Sequence, residues 1–358
     1  MSKVLFIDTG LSCPVLLAET FDQLVGPSLT VLVVSPNRDF YRRWQKDYFR
    51  LLPLDNLLGF GGSWKLRRLI KKEGVTKLLL LEVPEKIRFT KMAAKLGLQV
   101  IWLEAPANSL SLKVELRPKL DNLAKLATSV CFTAGVRESR LAAGWPEAQV
   151  RLLRFGLKPV EATLAAMPVF PWQNRPSALK HDLTIGTVVD LSEVQKIEEL
   201  LRLVKSTDEL ALSIQLIVIG EGGERGKLAW LAKKMDIENQ VWLVGERSRL
   251  DKWYSFFDLL IISSRQADIE DLRVAQGALA AGIPVLAAES EAMSDCLVEG
   301  ESGYWVDLSK TDELAAMLKS LYQDSAKMKA MSMAGQKRAK EIFNNDECLE
   351  AWGGLVNS

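Results

Sequence analysis

Short apolar runs alternate with amphipathic stretches along this chain, twice over, and that alternation most limits the folds open to it. Val4–Ile7, Thr30–Val34, Lys77–Leu81, Gln99–Leu103 and Ser129–Thr133 read as buried strands. Pro14–Leu24, Trp64–Lys72 and Thr90–Leu96 read as helices between them. Strands covered on both faces are near-continuous apolar runs, and strand–helix alternation places helices on both faces of a parallel sheet. The pattern lapses over Gly156–Asp182, where Pro159, Pro168, Pro171 and Pro176 remove backbone donors. It restarts with strands predicted at Leu183–Val188, Ser213–Ile219, Val241–Val244, Leu259–Ser263 and Pro284–Ala287. Helices are expected at Glu193–Lys205, Gly226–Met235, Leu250–Phe256, Leu272–Ala281, Met317–Leu321 and Ala326–Phe343.

The expected architecture is therefore α/β, with two Rossmann-like domains facing a cleft. The domains fall at 1–158 and 183–330, joined by a linker at 159–182, with a tail at 331–358. A length of 358 residues suits two such domains. Ligands of open α/β sheets bind beyond the carboxyl ends of the strands, which would line the cleft.

Composition narrows the function classes. No apolar run reaches the roughly 20 residues that span a bilayer, and the start lacks the flanks of a signal peptide, so a cytoplasmic setting is expected. Cys13, Cys131, Cys296 and Cys348 are too scattered for a zinc site or a disulfide framework. His181, the single histidine, excludes a multi-histidine metal centre and reads as a solvated linker residue. Residues 1–158 carry 25 Lys and Arg against 14 Asp and Glu, whereas the remainder carries 21 against 31. A basic first half invites an anionic partner. Within it, Arg38–Arg50 and Trp64–Lys72 interleave aromatics with cations. Such stretches can rest on an anionic membrane face, or pack their aromatics on the sheet beneath a solvated basic surface. No nucleic-acid recognition motif accompanies the charge.

The most informative segment is Leu216–Arg225, a hydrophobic strand running into Gly220 and Gly222. Glycines there permit close backbone approach, and free amides at a helix start favour phosphate. A tight strand-to-helix turn would need the same glycines.

More of the second half follows one pattern. Ile217-Val-Ile-Gly-Glu-Gly222, Val241-Trp-Leu-Val-Gly245, Tyr254-Ser-Phe-Phe-Asp258 running into Leu259–Ser264, Ala280-Ala-Gly-Ile-Pro-Val285 and Glu299-Gly-Glu-Ser-Gly303 occur in order. In order and spacing they resemble the C-terminal domain of the family-four glycosyltransferases of GT-B type. Thr128–Leu157 is similar to the end of that family's first domain. Asp8-Thr-Gly10 stands where the family has its N-terminal glycine loop, and Met331–Trp352 where its last helix crosses back. The resemblance implies a nucleoside diphosphate sugar as donor, contacted at Gly10, Gly186, Gly220, Gly222, Gly245, Ser264 and Asp268. It implies Lys196, Glu270 and Glu104 as catalytic candidates, and no cofactor or metal beyond the donor.

Departures from the family run through the same segments. The family's phosphate clamp pairs an Arg with a Lys six residues later; here Asp190 precedes Lys196. An aspartate repels a diphosphate where a cation would offset its charge. The family's two glutamates, eight positions apart, fall on Ile269 and Gly277. Ser264–Leu272 is one or two residues longer than the family's segment, so Asp268, Glu270 or Gln276 can stand in. At the end of the fourth apolar run the family often has a histidine, and this chain has Glu104, either an ionisable group of the site or a solvated loop acid.

Three functions follow. The first is a retaining transferase working on a glycan or lipid-linked acceptor in envelope or surface polysaccharide assembly, at peripheral contact with the inner membrane face. The second is a catalytically inactive relative acting as a binding or partner module. The third is a sugar-nucleotide epimerase of the same fold.

Overall fold

The computed structural model describes residues 2–8, 15–35, 41–42, 45, 47–52, 62–81, 86–106, 125–157, 181–192, 194–245 and 250–357, without the side chains of 15 and 194–196. The chain divides into two compact units, Met1–Gly156 with Asn344–Ser358, and Leu157–Phe343.

In the first unit the described strands are β1 (Ser2–Asp8), β2 (Leu29–Val34), β3 (Phe49–Leu51), β4 (Lys77–Leu81), β5 (Gln99–Glu104), β6 (Thr128–Cys131) and β7 (Val150–Leu152). They form a sheet in the order β3-β2-β1-β4-β5-β6-β7, parallel at every pairing. Helices α1 (Val15–Leu24), α2 (Gly62–Glu73), α3 (Lys86–Ala94) and α4 (Ala134–Ala142) connect them. β2 and β4 are buried along their whole length, which is why they read as unbroken apolar runs. Lys77 is the exception within β4. Its Nζ donates to the Leu355 carbonyl at 2.6 Å, and burial, with Arg151 adding repulsion, lowers its pKa.

In the second unit β8 (Leu183–Val188), β9 (Ile214–Ile219), β10 (Val241–Gly245), β11 (Leu259–Ile262), β12 (Val285–Ala287) and β13 (Gly303–Trp305) form a parallel sheet in the order β10-β9-β8-β11-β12-β13. The helices are α5 (Val194–Glu209), α6 (Arg225–Lys234), α7 (Asp251–Tyr254), α8 (Ile269–Ala280), α9 (Thr311–Gln323) and α10 (Ser325–Ile342). Two apolar layers cover the sheet. One gathers Ile185, Leu259 and Ile261 with Ile197, Leu201 and Leu318. The other gathers Leu260 and Ile262 with Ala275, Leu279 and Phe343.

Both sheets carry the Rossmann order, in which strand succession reverses once, between β1 and β4 and between β8 and β11. Most segments predicted as strands and helices from periodicity occur within a few residues of their expected bounds; the helix expected at Met317–Leu321 is longer, running from Thr311 to Gln323. β3, β7 and β13 were not anticipated. Each has three residues, too few to display a period, and β3, β7 and β13 lie at sheet edges.

The tail differs in detail from expectation. α10 stays with the second unit as a whole, burying Met331, Gly335 and Ala339, and the chain returns only after Phe343. α11 (Asn345–Asn357) then packs on the first unit. Trp352 is fully buried there, its centroid 5.6 Å from that of Phe155, 6.0 Å from Phe132 and 6.1 Å from Phe21. Its indole N–H donates to the Arg154 carbonyl at 2.9 Å. His181 is half-buried at the entrance to β8 rather than solvated, with Nδ1 2.9 Å from Ser213 Oγ. Most of the expected linker, 158–180, lies outside the described residues.

Candidate functional site

The reversal of strand order between β8 and β11 leaves two loops side by side at the carboxyl end of the second sheet, a position where open α/β sheets take their ligands. One loop, 189–192, leads from β8 into α5. The other, 263–268, leads from β11 into α8.

The first loop is built on backbone close approach. Val189 N–H donates to the Ile219 carbonyl, Leu191 N–H to the Glu221 carbonyl, and Glu224 N–H to the Leu191 carbonyl. A Cβ on Gly220 would lie 1.8 Å from the Val189 carbonyl oxygen, and one on Gly222 would lie 2.3 Å from the Leu191 carbonyl carbon. What these two glycines admit is therefore the neighbouring loop. Gly245 is joined to the same cluster: Gly220 N–H donates to its carbonyl at 3.2 Å. Arg225 bridges the cluster, donating to Glu221 Oε1 at 2.7 Å and to the Leu243 carbonyl at 2.6 Å. Gly186 lies inside β8, where a Cβ would meet the Phe257 ring at 2.3 Å, so it packs an aromatic side chain.

Asp190 turns its carboxylate into its own loop, accepting from Ser192 N–H at 2.9 Å. Lys196 falls in the first turn of α5, with its side chain outside the described residues. Gly10 lies outside them altogether.

The second loop places Ser263 and Ser264, both buried, directly after β11, followed by Arg265. Arg265 is 70% exposed and donates to Glu199 Oε1 of α5 at 2.5 Å. Asp268 caps α8. Its Oδ1 accepts from Glu270 N–H at 2.8 Å and Asp271 N–H at 3.0 Å, while Asp271 accepts from Asp268 N–H at 3.1 Å. This reciprocal pairing satisfies amides that a helix start otherwise leaves open. Glu270 pairs with Arg273 at 3.0 Å along the same helix. The acids expected to replace the family's glutamates are thus engaged at the start of α8. At the family positions themselves, Ile269 is buried, and the space beside Gly277 is filled by Tyr254, whose hydroxyl would lie 2.6 Å from a Cβ there. Tyr254 donates to the Val274 carbonyl at 3.0 Å, and burial pushes its hydroxyl pKa up.

In the first unit Glu104 closes β5 as a buried residue, which corrects the solvated-acid reading. Arg140 donates to one of its oxygens, and Lys86 lies 3.4 Å from the other. Lys86 also sits 4.9 Å over the Trp102 ring. Of the basic–aromatic stretches, Tyr41 and Phe49 turn inward and are buried, whereas Phe40 and Trp44 lie outside the described residues. Trp64 on α2 is 63% exposed beside Arg68, and a surface concavity of about 340 Å³ is lined by Trp64, Arg67, Arg88, Lys91, Met92 and Lys95.

Sequence reading missed Arg265 and Tyr254. Arg265 sits within Ser264–Leu272, the segment longer than its counterpart in the family, and Tyr254 becomes informative only against Gly277.

Comparison with known proteins agrees with this fold. Residues 171–338 match the model of the glycosyl transferases group 1. The amylovoran biosynthesis glycosyltransferase AmsK of Erwinia amylovora is 23% identical over 210 residues, covering 57% of this chain and 49% of AmsK. The lipopolysaccharide core biosynthesis glycosyltransferase LpsE of Rhizobium meliloti is 22% identical over 145 residues, covering 40% of this chain and 42% of LpsE. The chain therefore spans less than half the length of the curated relatives it matches. HepE of Anabaena, solved in complex with UDP, superposes with a TM-score of 0.78 at 14% identity, over 99% of both chains. The second unit is similar to the glycosyl transferases group 1, and the chain as a whole has the GT-B fold.

Proposed function

We propose that this protein transfers a sugar from a nucleoside diphosphate sugar, a uridine diphosphate sugar first among them, to a glycan or lipid-linked acceptor in surface glycan synthesis, with retention of configuration. The observation that carries the reading is the β8–β11 reversal, where a loop from each strand meets the start of α5 and brings Lys196 and Arg265 to one end of one sheet. Cations there would stabilise the departing diphosphate as its charge develops. Relatives named for amylovoran and lipopolysaccharide core biosynthesis support the acceptor class, and the UDP complex of HepE supports the nucleotide. Glu104, with one oxygen on Arg140 and the other facing Lys86, reads as an anchor for those two cations. The exposed Trp64 among basic residues supports peripheral contact with an anionic membrane face.

Tyr254 at Gly277 favours a second reading, an inactive partner module, because no carboxylate can occupy that space. Calorimetry with UDP, GDP, ADP and their glucose and N-acetylglucosamine conjugates, with hydrolysis followed in parallel, separates the two. The transferase reading expects one donor to bind and turn over, and Lys196→Ala to weaken it by about 10- to 100-fold. Binding without turnover moves the assignment to the partner module, and no binding removes both nucleotide readings.

A further inference from the structure

We propose that Arg265, from the loop after β11, supplies the second cation that a donor diphosphate requires here, in place of the residue after β8. The inference rests on the donor reading above and assigns a role within the same site.

A diphosphate carries at least two negative charges, and a single flexible ammonium neutralises it incompletely. The loop after β8 offers no second cation. It presents Asp190, whose carboxylate is bound to Ser192 N–H at 2.9 Å. Across the strand reversal, the loop after β11 offers Arg265. Its side chain is largely exposed, and its guanidinium meets Glu199 of α5 at 2.5 Å. Lys196 precedes Glu199 by three residues, and on a helix such a pair shares one face within a turn. Arg265 thus meets α5 one turn along from position 196, near the amino end of a 16-residue helix.

A second, independent observation comes from the concavity that Arg265 lines, about 430 Å³, together with Ser263, Glu289, Trp305 and Asp307. Ser263 is buried, and its Oγ has no hydrogen-bond partner among the described residues. A buried hydroxyl without a partner costs about as much as a lost hydrogen bond, unless a ligand completes it. Glu289 and Asp307 suit hydroxyls rather than phosphates, and Asp307 also feels the Arg265 charge, so Arg265 is the group of this lining that suits a phosphate.

The resting partner of Arg265 competes with the ligand. The pair is largely exposed on the arginine side, and exposed pairs hold together weakly, so a diphosphate can displace Glu199. Removing that carboxylate should therefore strengthen binding, a sign that no purely structural role of the pair would give.

The test uses the full chain and whichever of UDP, GDP or ADP the wild type binds, with the matching nucleoside alongside. Arg265→Gln should weaken the diphosphate by about 10- to 100-fold and leave the nucleoside within about twofold. Asp190→Arg placed in that background should restore most of the loss. Glu199→Gln should tighten the diphosphate by about two- to fivefold. Unchanged diphosphate affinity in Arg265→Gln, equal loss for nucleoside and diphosphate, or weaker binding in Glu199→Gln would each overturn the proposal. If Arg265→Gln does not fold, Glu199→Gln decides alone. A wild type that binds none of the three diphosphates refutes the donor reading itself, a result distinct from these.

Discussion

Gly277 has no side chain, and Tyr254 uses the space that one would need. In the interior of a helix, glycine to alanine ordinarily gains about 1 kcal/mol from helix propensity. Here the new methyl would lie 2.6 Å from the Tyr254 hydroxyl and 2.8 Å from its ring, so the sign reverses. Gly277→Ala should destabilise the second unit by about 1–3 kcal/mol, as overpacking does, in urea denaturation. Tyr254→Ala in the same chain should make the alanine tolerable, so the two effects would not add. Gain of stability in Gly277→Ala alone would refute the packing argument. The same reasoning explains why the glycine pattern was legible and its purpose was not. Gly220 and Gly222 stand where the sequence places them, but their missing side chains face a neighbouring loop, a partner fixed far away along the chain.

At the level of elements, α11 is the piece whose placement holds most consequence. It belongs by sequence to the far end and by packing to the first unit. Trp352 is enclosed by Phe21, Phe132 and Phe155, residues that come from α1, the end of β6 and the stretch after β7. Polar ties accompany it, among them Lys77 to the Leu355 carbonyl at 2.6 Å, Ser2 to the Val356 carbonyl at 2.9 Å and Asn345 to Gln23 Oε1 at 3.3 Å. A cation at the carboxyl end of a helix meets its exposed carbonyls and the negative end of its dipole. That accounts for a lysine within an otherwise apolar strand. Trp352→Ala should cost about 3–5 kcal/mol. Calorimetric unfolding should show the transition of the first unit moving down while that of the second stays in place. A uniform shift of both would contradict the assignment of α11 to the first unit.

For the whole molecule, charge is divided along the chain, although the acidic Asp346, Glu347 and Glu350 of α11 belong with the first unit. Residues 1–158 hold an excess of Lys and Arg, and the remainder an excess of Asp and Glu. The basic excess includes the α2–α3 surface around Trp64, Arg67, Arg88, Lys91 and Lys95. No described helix is long and apolar enough to cross a membrane. Each basic residue near an anionic bilayer contributes about 1 kcal/mol, and salt screens that contribution. Sedimentation with phosphatidylglycerol vesicles should therefore capture the chain at low salt and release it at high salt. Arg67→Ala with Lys91→Ala should reduce capture about tenfold or more, and Trp64→Ala should reduce it further at fixed charge. Capture that ignores both salt and these substitutions would refute the surface reading.

Much of this protein was fixed by order along the chain. Apolar runs at strand length, helices between them and a proline-rich break specify two parallel sheets, because fully buried strands and crossover helices leave a periodic trace. The ordered glycines and apolar segments of the second half likewise carried the family resemblance. Tertiary structure decided what those residues face. Asp190 binds its own loop, Glu104 is buried between two cations, Asp268 caps a helix, and Tyr254 takes the room beside Gly277. Arg265 reaches a helix that begins some seventy residues earlier in the chain. Partners so distant leave no period or spacing in a single sequence, since their meeting depends on the order in which strands pair across the sheet rather than on the order in which they are written.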